Sequence, residues 1–148
     1  MKIRRANISD IPQISFVEES SGYHKKNFNS RPMIEGLFKD KSENVFVLEY
    51  KNKVLGYATL RTRNKLGELG LLAITKEAQG KGRGLILINS ILSYAKKTGC
   101  KRVFLDVNNN NLKAVALYTS LDFRVIGIKN KRFNGKSFIK LRMEKELK

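Results

Sequence analysis

Three glycines at alternate positions form a candidate phosphate-binding loop in this 148-residue sequence. Gly80, Gly82 and Gly84 follow a mostly apolar segment and stand at the start of a segment with helical periodicity. Glycine lets the backbone approach a ligand closely, and the first turn of a helix has N–H groups without helical partners. Lys81 and Arg83 add positive charge beside those groups. The pattern therefore predicts anion binding at a helix N-terminus.

The spacing of these glycines excludes two common phosphate loops. A P-loop needs a Gly-Lys-Ser/Thr ending, and a dinucleotide fingerprint needs glycine or alanine at position 85, where this chain has Leu85. A glycine-rich turn between a strand and a helix would show the same residues without binding anything. The cluster alone does not decide between these readings.

Hydrophobic periodicity predicts the elements that position this loop. We expect strands over 2–6, 45–50, 54–61, 68–75, 102–107, 123–129 and 138–144, and helices after Asp10 and Ser30 and over 83–97 and 112–121. Asp10 and Gln13 have capping-box spacing, and Asn134-Gly135 indicates a tight turn in the last hairpin. The fold class is therefore mixed α/β, with about seven strands in a mostly antiparallel sheet and about four helices, in a single domain over 1–148.

The low cysteine and histidine content argues against a disulfide-stabilised or metal-dependent protein. The single cysteine, Cys100, excludes a disulfide framework and a Cys-based zinc site, and it indicates a reducing compartment. We expect it to be a small buried hydrophobe. His24 is the only histidine, and no metal site is expected. No apolar run approaches the roughly 20 residues that span a bilayer, so we expect a cytoplasmic protein without a membrane partner.

A net charge of +17 predicts that the partners are anions, such as coenzymes, nucleotides or nucleic acids. The charge is densest over 123–148, which has nine basic and two acidic residues. A lysine-rich surface also serves solubility, so the charge does not choose among these partners.

Two motifs resemble those of the GNAT superfamily of N-acetyltransferases. Gln79-x-x-Gly82-x-Gly84 after an apolar strand is similar to the pyrophosphate-binding motif of that family. Asn111-x-x-Ala114-x-x-Leu117-Tyr118, followed by Leu121-Asp122-Phe123, is similar to its second motif. Asp122 replaces the usual glycine, and aspartate tolerates positive φ better than most residues. The resemblance covers nearly the whole chain.

The resemblance implies that acetyl-CoA is the co-substrate. In that fold two central parallel strands splay apart, here 68–75 and 102–107, and the pantetheine arm enters the gap. The implied cofactor-binding residues are Leu72, Ala73 and Ile74 along the strand, Gln79, Gly80, Lys81, Gly82, Arg83, Gly84 and Leu85 in the loop, and Asn111 and Tyr118 beyond it.

The resemblance also implies catalytic roles. Tyr118 would protonate the departing thiolate, which suits a phenol with a pKa of about 10. Two carboxylates compete for the general base, Glu68 in the cofactor-facing strand and Asp106 in the next strand, and a water chain serves in many relatives. Tyr23, His24, Glu18 and Glu19 fall where relatives shape the acceptor pocket, and His24 is a weak candidate there.

The sequence therefore predicts an acetyl-CoA-dependent N-acetyltransferase that works by direct attack in a ternary complex on a primary amine. Charge favours an anionic acceptor, such as a nucleotide-linked amino sugar or a protein on an RNA-rich particle, over polyamines and aminoglycosides. The protein is expected to be a monomer or a homodimer. The alternative is a basic module that keeps the fold and docks nonspecifically on nucleic acid through the last hairpin, where Phe133 and Phe138 alternate with lysines.

Overall fold

The computed structural model describes residues 1–22 and 24–148, so Tyr23 lies outside the described residues. The described part of the chain contains seven strands and four α-helices. In chain order these are β1 (Lys2–Arg5), α1 (Ile11–Ser20), α2 (Arg31–Lys39), β2 (Glu43–Tyr50), β3 (Lys53–Arg63), β4 (Leu66–Ile74), α3 (Arg83–Lys97), β5 (Arg102–Asn108), α4 (Leu112–Ser120), β6 (Arg124–Phe133) and β7 (Lys136–Glu146). The predicted element types and their order are confirmed.

All seven strands form one sheet in the order β1-β2-β3-β4-β5-β7-β6. Neighbouring strands are antiparallel except β4 and β5, which are parallel. The β4–β5 pairing runs only from Leu66 opposite Arg102 to Glu68 opposite Phe104. Beyond Glu68 the two strands separate, and the sheet opens into a gap at the carboxyl end of both strands.

Each face of the sheet has its own apolar core. On one face α3 and α4 cover a large cluster that includes Leu87, Ile91 and Val103. On the other face α1 and α2 cover a smaller cluster around Ile14, Ile34 and β3. In the part of the chain that the structure describes, α1 and α2 pack against β2, β3 and β4 on this second face.

The start of α1 differs from the prediction. The capping box is formed by Asn7 and Asp10 around a short 3-10 turn, one turn earlier than the predicted pair of Asp10 and Gln13. Asp10 instead forms two hydrogen bonds of 2.9 Å with Arg4, and Gln13 accepts the N–H of Val54. Asp10 thus accepts both the guanidinium of Arg4 and the N–H of Asn7, and Gln13 is bound to β3, so neither side chain is left to form the predicted cap.

Positive φ angles occur where the sequence predicts tight turns. Asn134 and Gly135 have φ of 51° and 75°, which suits a two-residue hairpin turn. Asp122 has φ of 68°, the conformation expected of the residue that replaces glycine after α4. Cys100 is buried, as predicted. Among the described residues, no helix has the length and apolar character needed to cross a membrane.

Candidate active site

The gap between β4 and β5 continues into two connected hollows. The first, which we call the outer cleft, has a volume of about 460 Å³ and lies between the end of β4, the glycine loop and α4. The second, the inner cavity, has a volume of about 290 Å³ and lies between β4, β5 and the end of α1. Both hollows are lined by Leu72, Asn111, Ala114 and Tyr118. A groove of about 730 Å³ on the far side of α3 shares no residue with them.

The glycine loop leads directly into α3. Gly80 and Gly82 have φ of 77° and 76°, and a Cβ built on Gly82 would meet no atom within 4 Å. The first helical hydrogen bond of α3 is donated by Ile86 to Gly82, so the N–H groups of 83–85 precede the helical ladder. These groups and the positive end of the helix dipole meet at the mouth of the outer cleft, which is the arrangement that favours a bound anion.

The side chain of Arg83 also favours an anion at this loop. One Nη donates to the carbonyl of Ala78 at 3.1 Å, and this bond holds the side chain against the loop. Its Nε is buried and has no hydrogen-bond partner among the described residues. A buried donor without a partner costs free energy, and a phosphate oxygen at this point would supply the acceptor.

The other loop residues are divided between two sides. Gln79, Gly80, Gly82, Arg83 and Gly84 line the outer cleft, Lys81 and Arg83 line a groove beside α1, and Leu85 lines neither. The side chain of Gln79 is already used, because its Nε2 donates to the carbonyls of Ser21 and Ile74. Gln79 therefore braces the loop against β4 and α1.

The exposed edge of β4 forms the opposite wall of the gap. Leu72, Ala73 and Ile74 line the outer cleft and pair with β3 on their other side. A bulge between the pairs of Ala58 and Leu60 moves this part of β4 away from its regular register. Their edge toward β5 has no strand, which leaves room for an extended ligand to pair as an added strand would.

Tyr118 and Asn111 come from α4 and lie where the two hollows meet. Tyr118 is buried, and its ring packs edge-on against Phe123 at 5.6 Å. The side-chain oxygen of Asn111 accepts the N–H of Ala114 and so caps α4. Because both residues line the outer cleft and the inner cavity, α4 holds a phenol and an amide beside the gap.

The two predicted base candidates have different surroundings. Asp106 lines the inner cavity, but Arg142 binds its two oxygens at 2.9 Å and 3.0 Å. Those hydrogen bonds lower the pKa of Asp106, and the charges of Lys129 and Lys140 act in the same direction. Glu68 lies opposite Phe104 at the last paired position of β4 and β5, and it lines neither hollow.

Two residues predicted to shape the acceptor pocket lie on the other wall of the inner cavity, together with a phenol, Tyr57, that no sequence motif indicated. Glu18 and His24 line the cavity, and Glu18 hydrogen-bonds both His24 and the phenol of Tyr57. Burial, followed by the neighbouring Glu18 carboxylate, raises the pKa of Tyr57. One signal was present in the sequence: Glu18 follows Ile11 by seven residues and Ile14 by four, which places a carboxylate on the buried stripe of α1.

Glu19 fixes the segment that carries His24. One of its oxygens accepts both the N–H and the hydroxyl of Ser30, at 2.8 Å and 2.7 Å. These bonds lower the pKa of Glu19 and join the end of α1 to the start of α2. His24 lies within this bridged segment, and its ring stacks on Phe28 with 4.1 Å between centroids.

A sheet with two parting parallel strands, a glycine loop at a helix N-terminus and a phenol at the gap defines a coenzyme-dependent acyl-transfer fold. Residues 8–123 match the family model of the acetyltransferase (GNAT) family. The chain therefore belongs to the GNAT superfamily of N-acetyltransferases, enzymes that use acetyl-CoA as co-substrate, as the sequence motifs predicted.

Individual relatives agree with this assignment. The chain is 30% identical over 109 residues to the uncharacterized N-acetyltransferase YobR of Bacillus subtilis, an alignment that covers 74% of this chain but only 40% of YobR. It is 28% identical over 127 residues to the 5-NmdU N-acetyltransferase of Pseudomonas phage PaMx11, which covers 84% of this chain and 88% of the phage protein. The crystal structure of a ribosomal-protein-alanine N-acetyltransferase from Brucella melitensis has the same fold, with a TM-score of 0.81, 21% identity and coverage of 99% and 100% of the two chains.

Proposed function

We propose that this chain transfers an acetyl group from acetyl-CoA to a primary amine by direct attack in a ternary complex. The observation that carries the proposal is the continuous path from the anion site at the start of α3, along the open edge of β4, to the phenol of Tyr118. An acetylated pantetheine chain with a pyrophosphate at one end and a thioester at the other matches that order of chemical groups. No covalent intermediate with the enzyme is needed.

The coenzyme-binding roles rest on chemical fit. Backbone N–H groups of Gly82 to Leu85, together with Arg83, would hold the pyrophosphate, and Gly80 would allow the loop to turn. Leu72, Ala73 and Ile74 would pair with the pantetheine arm, with a backbone N–H there polarising the thioester carbonyl. Asn111 would bond the arm through its amide nitrogen. Gln79 and Lys81 would contribute by shaping the loop and by long-range charge.

Tyr118 is the proposed general acid. Its hydroxyl-bearing side chain lines both hollows, so it adjoins the pantetheine path and the inner cavity. A phenol is protonated at neutral pH and can give its proton to a thiolate as the C–S bond breaks. The same buried position against Phe123 would also suit a packing role, which the removal of the hydroxyl alone can distinguish.

Glu68 and Asp106 are both kept as sites to test for the general base. Asp106 has the better position, because it lines the inner cavity. Its pairing with Arg142 weighs against it, since a carboxylate whose pKa is lowered is a weaker base. Glu68 lacks contact with either hollow, so a water would have to relay its proton.

We further propose that the acceptor amine is carried by an anionic molecule. Lys129 and Lys140 are directly opposite each other on β6 and β7, and both charges act on Asp106, which lines the inner cavity. Like charges in opposed positions repel, and a bound anion would relieve that repulsion. The relatives named above act on 5-NmdU and on ribosomal-protein alanine, so both acceptors belong in the panel of amines to screen.

The nucleic-acid module has one structural observation in its favour. Nearly every residue of β6 is exposed, and Phe133 is 69% exposed among the basic residues of this edge strand. Exposed aromatic rings among cations favour stacking on bases and contact with phosphates. Binding that is no tighter than nonspecific and vanishes at physiological salt would remove this candidate.

The first experiment is the thermal shift of the purified protein with acetyl-CoA, with CoA and with ATP as an anion control. Selective stabilisation by the two coenzymes is expected, and a ligand at a hundredfold its Kd adds about 2.7 kcal/mol of stability. Thiol release with the amine panel then tests transfer. Equal shifts with all three ligands would contradict the proposal and favour the binding module.

A further inference from the structure

His24, the single histidine of the chain, lines the inner cavity together with Tyr118 and Asp106. Its side chain is 26% exposed, so it is neither sealed in the core nor free in solvent. Two contacts fix the ring: stacking on Phe28, with 14° between the planes, and a hydrogen-bonding contact between Nε2 and Oε2 of Glu18. An imidazole held in this way on the wall of a reaction cavity is positioned for proton transfer.

Glu18 is buried, with 6% of its surface exposed, and both of its oxygens are used. Oε1 accepts the hydroxyl of Tyr57 at 2.5 Å, and Oε2 contacts His24. Since burial and Glu18 raise the pKa of Tyr57, this phenol remains a donor at neutral pH. The carboxylate is thus fixed from β3 on one side and orients the imidazole on the other.

This arrangement selects one tautomer of His24. A carboxylate only accepts hydrogen bonds, so a neutral imidazole that bonds Glu18 through Nε2 carries its proton on that nitrogen. The lone pair of the neutral ring is then on Nδ1. A lone pair on one nitrogen and a carboxylate behind the other is the arrangement that accepts a proton and stabilises the resulting imidazolium.

We propose that His24 is the group that takes the proton from the acceptor's ammonium, with Glu18 as its positioning residue. The inference rests on the proposed acetyl transfer and supplies the base that the proposed function leaves open. A general base here must line the cavity and must not be paired with a cation. Asp106 lines the cavity but is paired with Arg142, and Glu68 lines neither hollow.

The proton balance of the reaction is consistent with this role. The ammonium gives one proton to Nδ1 of His24, and the neutral amine then forms the C–N bond with the thioester carbonyl carbon. As the C–S bond breaks, the sulfur takes the proton of Tyr118, and the second proton lost by the nitrogen restores that phenol. The net release is one proton, which leaves His24 for solvent.

Several charged or titratable groups face His24 and would act on its pH dependence. Glu18 and Glu19 lie on α1, Tyr57 on β3, Asp106 on β5 and Tyr118 on α4. Three of these are carboxylates, and one of them, Asp106, is paired with the guanidinium of Arg142 on β7.

The first test replaces His24 by Gln, whose amide nitrogen can still donate to Glu18 but cannot accept a proton. With an amine that the wild type acetylates, we expect kcat/KM to fall about 100-fold or more and the alkaline-rising limb of the pH–rate profile to flatten. The Kd for acetyl-CoA should stay unchanged. Lys25→Gln, an exposed neighbour outside the site, is the matched control. A wild-type rate and profile in His24→Gln would overturn the inference.

The second test needs no acceptor. Nitrogen-15 NMR of the single histidine should show the proton on Nε2 in the wild type. In Glu18→Gln the amide can donate to His24, and the proton should move to Nδ1, which removes the accepting lone pair from that nitrogen. A wild type protonated on Nδ1, or a tautomer that does not respond to Glu18→Gln, would also overturn the inference.

The measurements distinguish a wrong base assignment from a wrong proposed function. If acetyl-CoA fails to stabilise the protein and no amine is acetylated, acetyl transfer itself is wrong, and the base assignment falls with it. If the wild type acetylates an amine while His24→Gln matches it, only the base assignment is wrong.

Discussion

Arg142 on β7 holds both carboxylate oxygens of Asp106 on β5, with its guanidinium 4.6 Å above the ring of Phe104. The pair joins the strand that borders the gap to the strand behind it. It also places a fixed positive charge beside the inner cavity. Because both of its oxygens are bound by Arg142, Asp106 is a poor proton acceptor, and the ion pair instead holds β5 and β7 together beside the cavity.

The first prediction concerns the pH dependence of stability. Since Arg142 lowers the pKa of Asp106, the pair stabilises the fold above the unfolded-state pKa of about 3.9, and this stabilisation is lost as the pH falls through the lowered folded-state value. Arg142→Met keeps the packing on Phe104 but removes the charge. Urea unfolding should show the variant to be less stable at pH 7, with a smaller difference near pH 3. An equal difference at both pH values would indicate that only packing was lost.

The second prediction separates the two carboxylates from His24. Glu68→Gln and Asp106→Asn should both keep the alkaline-rising limb of the pH–rate profile, because neither carboxylate takes the proton in the proposed scheme. Asp106→Asn should raise the KM of the acceptor, since it loosens Arg142 at the cavity wall. A limb that moves in only one of these variants would identify that carboxylate as the base.

The third prediction tests the glycine loop. Gly82→Val should abolish acetyl-CoA binding, because a branched side chain would occupy the space that the pyrophosphate needs. Valine at φ of 76° is also strained, by roughly 1–2 kcal/mol. Gly135→Val is the matched control, since Gly135 has φ of 75° and open space in the distant β6–β7 turn. Isothermal titration should find binding lost in the first variant and retained in the second. Retention in both would refute the loop assignment.

The fourth prediction isolates the hydroxyl of Tyr118. Tyr118→Phe keeps the ring against Phe123 and should lower kcat about 100-fold while the Kd for acetyl-CoA stays nearly the same. Tyr94→Phe is the matched control. It removes a hydroxyl of α3 that donates to Asn44 and lines neither hollow, so kcat should stay unchanged. Steady-state kinetics and coenzyme titration of both variants provide the comparison. If Tyr118→Phe retains full kcat, the residue has only a packing role.

The fifth prediction concerns the charge of the acceptor. Lys140→Glu should raise the KM of an anionic acceptor, and the effect should shrink at high salt because salt screens surface charges. It should not change the Kd for acetyl-CoA. Lys101→Glu makes the same charge reversal at the opposite end of β5 and is expected to have little effect. Equal KM values in the two variants at low salt would argue against an anionic acceptor.

Local features of the chain predict the bounds of α3 closely. The predicted range of 83–97 agrees with the observed helix, because Gly82 precedes it in a left-handed conformation and Lys96, Lys97 and Gly99 end it. The positive φ of Asp122 was also predictable from its place after α4. Such features depend on neighbours within a few residues, and they are therefore present in the sequence itself.

The sequence alone determined the element types, the glycine loop before α3 and the family motifs, because periodicity, glycine placement and short spacings are local properties of the chain. Only the tertiary structure decided which side chains meet. Arg142 reaches Asp106 across 36 positions, and Tyr57 reaches Glu18 across 39. Those partners depend on strand register and on how the helices pack against the sheet. Both are set by burial of the whole core. This is why Asp106, a predicted base, lies beside a guanidinium, while His24, only a weak candidate in the sequence, lines the cavity with Glu18.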